Sequence, residues 1–101
     1  MRYTAHIYKD GSKYGVEFPD LDDISTWANS LEQAKKEAKD ALDLTLRGDL
    51  EDGYPLRKSK TKANPSKGLY SIEVDPQIVA AFELEVTRKV GISKNLKLLP
   101  C

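Results

Sequence analysis

The chain has one cysteine, one histidine and no surplus charge of either sign, and each shortage closes off a class of function. The cysteine is the final residue, Cys101, so neither an intrachain disulfide nor a cysteine-built zinc site can be assembled. Such usage is that of a protein kept in a reducing cytoplasm. His6 stands without a second histidine, and there is no Gly-rich phosphate loop and no nucleophile elbow, so the sequence is read as a non-enzyme without cofactor or metal. No apolar run approaches the roughly 20 residues of a membrane helix. The N-terminal residues pass straight into a strand-like pattern, without the apolar core of a signal peptide. At 101 residues the chain is also too short for separate substrate and cofactor domains.

What is present is an uneven arrangement of charge. Residues 1–53 carry 7 basic and 12 acidic side chains, residues 54–68 carry 5 basic and none acidic, and residues 69–101 carry 4 of each. The division expected is a folded unit over residues 1–54, a basic linker over 55–68, and a strand with a helical tail over 69–101.

Tyr3, Ala5 and Ile7 alternate with Thr4, His6 and Tyr8 at the period of a two-faced strand. Asp10-Gly11 supplies a hairpin turn, and Tyr14, Val16 and Phe18 alternate again until Pro19. A short third strand is expected around Ile24–Trp27. Ser30 with Gln33 forms a capping box. Leu31, Ala34, Ala38, Ala41, Leu42 and Leu46 then recur every three or four residues, which predicts an amphipathic helix over 31–46 with Gly48 and Gly53 bracketing its end. After the proline- and lysine-rich segment, Tyr70, Ile72 and Val74 predict a strand that joins the sheet or pairs with another subunit. Asp75-Pro76 opens a helix whose stripe, Ile78, Phe82, Val86 and Val90, is expected to stop at Gly91. Ser93 would cap one more, short, helix. The fold class is therefore α+β, a small antiparallel sheet covered by one helix.

Three features invite a functional reading. Asp20, Asp22 and Asp23 cluster after a strand, but the spacing lacks the alternate carboxylates and the bend glycine of a calcium loop, so an acidic turn is expected. Arg57, Lys58, Lys60, Lys62 and Lys67, with Lys94 and Lys97, can touch phosphates, although no aromatic side chains interleave with them in sequence to stack bases. Trp27 either packs over the sheet and helix or anchors a partner, and core packing is the expectation.

An ordered series of residues resembles the N-terminal pattern of the HicB family of antitoxins from toxin–antitoxin pairs. It comprises Tyr3-Thr4-Ala5, Asp10-Gly11, Tyr14-Gly15-Val16-Glu17-Phe18-Pro19-Asp20-Leu21, Thr26, Ser30-Leu31-Glu32-Gln33-Ala34, and the segment Leu46 to Leu56. The resemblance covers about the first 58 residues, with Asp22-Asp23 where the family usually has Pro-Gly. The tail is similar to a helix-turn-helix region that breaks off at Cys101 before its recognition helix.

The resemblance implies a reduced RNase H-like arrangement and a partner that is a small basic HicA-type toxin, an RNA-cleaving protein whose active site the antitoxin occludes. Asp20, Asp22, Asp23 and Trp27 are the candidate toxin contacts. It also implies no sequence-specific DNA binding by this chain alone. A homo-oligomer is expected, because the apolar stripe from Ile78 and the stub Leu96, Leu98 and Leu99 have no further helix to cover them. Two other readings stand beside this one: an orphan structural or regulatory module without a toxin, and a small hydrolase using His6.

Overall fold

Strand alternation is realised as the sequence predicts it. In the computed structural model, which describes residues 1–94 and side chains through residue 85, β1 (Arg2–Asp10) buries Tyr3, Ala5 and Ile7 on one side. Gly11, at φ +64°, turns the chain into β2 (Lys13–Phe18), which buries Val16 and Phe18 on the same side. The third strand, β3, runs Leu21–Ala28 and so begins earlier than the expected Ile24. A register shift at Glu17/Phe18 lets Phe18 pair with Leu21, and this irregularity draws Asp22 and Asp23 into the strand instead of an acidic turn.

Helix α1 (Leu31–Glu51) opens on Ser30, whose Oγ accepts from the Gln33 amide. The Gln33 side chain reaches back one residue beyond the cap, accepting from the Asn29 amide. Ala34, Ala38, Leu42 and Leu46 are fully buried against the sheet, and the two alanines let the backbones approach. The helix passes through Gly48 and ends at Glu51, between the two bracketing glycines and five residues beyond the expected Leu46. Glycine in a helix interior costs about 1 kcal/mol. The added turn offsets this by placing Leu50 against the core and burying Asp49 where Arg57 can reach it. Gly53, at φ +81°, makes the real exit, with the Asp52 amide donating to the Gly48 carbonyl and the Tyr54 amide to that of Asp49.

A single 3-10 turn (Pro65–Lys67) precedes β4 (Leu69–Glu73), which pairs antiparallel with β1 of its own chain. The sheet order is β3-β2-β1-β4. Asp75 then accepts from the Gln77 amide at the start of α2 (Pro76–Lys94). This helix corrects two expectations. It continues through Gly91, Ile92 and Ser93 to Lys94, so the stop expected at Gly91 and the cap expected at Ser93 are not formed, and the rest of the expected second helix lies outside the described residues; glycine between helix-forming neighbours need not break a helix. Ile78 and Phe82, expected to be exposed, are 3% accessible and belong to the core beneath α1 and the sheet. The side chains of Val86, Val90 and Lys94, and all of Leu96, Lys97, Leu98 and Leu99, lie outside the described residues.

The result is two layers, helices on one face of the sheet and the other face open. The basic segment passes from Asp49 at the end of α1, by way of Asp20, to Thr4 of β1.

Candidate interaction surface

Composition predicts residues 55–68 as a linker or exposed loop, and most of its side chains are exposed, yet it is fastened to the body at several points. The Lys60 and Thr61 amides donate to the Asp20 carboxylate at 2.6 and 2.8 Å, and the Thr61 hydroxyl donates to its other oxygen at 2.8 Å. Thr4 Oγ1 donates to the Thr61 carbonyl at 2.6 Å, and the Tyr3 hydroxyl donates to that of Arg57.

Arg57 is held by two carboxylates at once. Its Nε and Nη2 donate to Asp49 at 3.0 and 3.1 Å, while Nη1 and Nη2 donate to Asp23 at 2.7 and 2.9 Å. The planar fork of guanidinium donors makes this double engagement possible, which a lysine cannot reproduce. The Asp49 side chain is only 9% exposed. A buried carboxylate requires such a partner.

These contacts act on ionisation. Donation from the Thr61 and Lys60 amides holds the Asp20 carboxyl below its ordinary pKa, and the Arg57 guanidinium does the same for Asp23. Because both folded values are lowered, the stabilisation they provide is complete above the unfolded carboxylate pKa and is lost as pH falls through the lower folded values. Amide exchange at Lys60 and Thr61 should therefore be protected at neutral pH and lose protection in acid. Asp20→Ala, which deletes the acceptor, should remove that protection at every pH. Unchanged protection factors in this variant would show that the strap is held by something other than Asp20.

The candidate toxin contacts are thus divided by the fold. Asp20 and Asp23 face the strap and are engaged within the chain. Asp22 is exposed in β3 and its side chain makes no hydrogen bond or ion pair among the described residues. Trp27 is not a core residue: it is 54% exposed. Its register position explains this, since it lies opposite Gly15 while its neighbours Thr26 and Ala28 point toward α1. Of the basic set, Arg57 is engaged, and Lys58, Lys60, Lys62 and Lys67 are exposed.

Sequence reasoning missed Asp49, Thr4, Thr61 and the Tyr3 hydroxyl. Asp49 did leave a signal, a carboxylate three residues beyond Leu46 on the buried stripe of the helix. A position of that kind calls for a nearby cation, and Arg57 is the first basic residue to follow it.

The open face itself carries His6 and Tyr8 from β1, Glu17 from β2, and Asp22, Ser25 and Trp27 from β3. The His6 and Tyr8 rings lie 5.2 Å apart. A depression of about 340 Å³ opens among His6, Glu17, Asp22 and Ser25. No cluster among the described residues is suited to hold a metal ion, and no described helix is long and apolar enough to cross a membrane.

No family model matches the chain, and no curated protein matches it. Solved structures do. A chain of the HicA3 and HicB3 toxin–antitoxin complex aligns over its whole length with 75% of this chain, at 24% identity and a TM-score of 0.60. The N-terminal domain of the Burkholderia pseudomallei antitoxin HicB aligns over 99% of its length with 74% of this chain, at 24% identity and a TM-score of 0.63. The longer HicB structure from that organism aligns over 84% of its length with 89% of this chain, at 19% identity and a TM-score of 0.63. An antiparallel sheet with one open face, covered on the other by a helix begun at Ser30, is thus the fold of the HicB antitoxin N-terminal domain.

Proposed function

We propose that this chain is an antitoxin of the HicB type, which binds a small basic RNA-cleaving toxin and blocks its active site. The observation that carries this is the fold shared with a chain of a HicA3 and HicB3 complex along that chain's full length. The ordered residues from Tyr3 to Leu56 that resemble the family pattern support it independently of the fold.

The physical logic is complementarity. Residues 1–53 carry a net charge of −5, and an RNA-cleaving protein presents cations where phosphates bind. A carboxylate-bearing surface placed there speeds encounter and then excludes RNA by bulk. The exposed lysines of the strap offer phosphate contacts alone. Those are independent of sequence and weaken steeply as salt rises, so no operator-specific DNA binding is expected of them.

The test is to mix the purified chain with the product of the adjacent gene, then measure the mass of the complex and the remaining ribonuclease activity. A stable complex with activity abolished is expected. A neighbour that is a ribonuclease but remains fully active and unbound would overturn the antitoxin reading.

A further inference from the structure

We infer that the sheet face turned away from α1 is where the basic partner docks, and that the depression between Glu17 and Asp22 receives one of its arginine or lysine side chains. This inference rests on the antitoxin reading above.

Two cross-strand rows build the face. Tyr8 pairs with Gly15, which pairs with Trp27; His6 pairs with Glu17, which pairs with Ser25. Gly15 matters because the Tyr8 ring lies down over it: a Cβ at Gly15 would be 2.4 Å from Tyr8 Cζ. The phenol thereby covers Gly15, in the cross-strand row that continues to Trp27, with the His6 ring 5.2 Å away. Tryptophan and tyrosine that present large, rigid, partly apolar surfaces are the residue types that dominate binding energy at protein interfaces.

Charge decides what the shelf is for. The ion pairs among the described residues engage Asp23, Asp43, Asp49, Glu73 and Asp75, whereas Glu17 and Asp22 enter none of them and so lack a cation; Glu17 has the Tyr8 hydroxyl beside it. These two line the depression, whose volume of about 340 Å³ admits a guanidinium or an ammonium on its alkyl stem. A cation entering there meets two carboxylates, with the His6 ring in the same lining. A nucleic acid laid on the same shelf would bring phosphates against those carboxylates, which disfavours it.

The test measures affinity for the product of the adjacent gene in Trp27→Ala, in the double variant Glu17→Gln with Asp22→Asn, and in Asp40→Asn on the exposed face of α1 as control. All are surface changes, and melting curves matching wild type confirm folding. Trp27→Ala should weaken binding at least about tenfold. The double variant should weaken it at low salt, with the difference shrinking as salt screens the interaction. Asp40→Asn should bind as wild type does. Wild-type affinity in both test variants overturns the surface and leaves the antitoxin reading intact. Failure of the wild-type chain to bind overturns both. Binding of a single-stranded oligoribonucleotide that is lost in Trp27→Ala, with toxin binding retained, also overturns it.

Discussion

Arg57→Ala should lower the free energy of unfolding by about 2–3 kcal/mol, a large share of the stability of a domain this size. Removal strands Asp49, whose side chain is 9% exposed, without the guanidinium donors that pair with it. Deleting one partner of a buried pair is more damaging than never having had the pair, because an uncompensated charge is left behind. The Asp23 arm provides the contrast. That carboxylate is 50% exposed, so Asp23→Ala should cost less than about 1 kcal/mol. Urea unfolding checks both, read as a shifted midpoint at constant slope. A fall below about 0.5 kcal/mol for Arg57→Ala would mean that water, not Arg57, satisfies Asp49.

The second large effect lies within α1, where two leucines two positions apart have opposite fates. Leu42 is fully buried against the sheet and Leu44 is 72% exposed. Leu42→Ala should cost about 3 kcal/mol, from lost transfer energy and from the cavity left under a helix already brought close by Ala34 and Ala38. Leu44→Ala should stay within about 0.5 kcal/mol of wild type, alanine being the better helix former. Equal losses at the two positions would contradict the helix orientation described here.

Both results trace back to the way local pattern meets global packing. The strand period places Tyr3, Ala5, Ile7, Val16 and Phe18 on one face, and the helix period places Ala34, Ala38, Leu42 and Leu46 on one stripe; the structure buries all of them. These are short-range regularities, set by where successive Cβ atoms point, so they are legible without the fold. Caps and turns behave alike: Ser30, Gly11 and Asp75 act through neighbours within a few positions.

By itself, then, the sequence determined the order of strands and helices, the apolar faces of β1, β2 and α1, and the uneven distribution of charge along the chain, but not the start of β3 or the ends of α1 and α2. The tertiary structure alone decided the rest. Helix α1 runs past Gly48 because a partner eight residues beyond Asp49 makes the extra turn worthwhile, and no local propensity contains that partner. Asp20 and Asp23 became anchors for the strap, while Asp22, adjacent in sequence, lines the open-face depression; both Asp22 and Asp23 lie in the irregular stretch between Leu21 and Ser25, where the simple alternation of a strand no longer assigns faces. Trp27 was exposed by its register position, opposite a glycine over which Tyr8 lies. Contacts between residues about forty positions apart, such as Asp20 with Thr61, leave no periodic trace, because their geometry exists only after the sheet has formed.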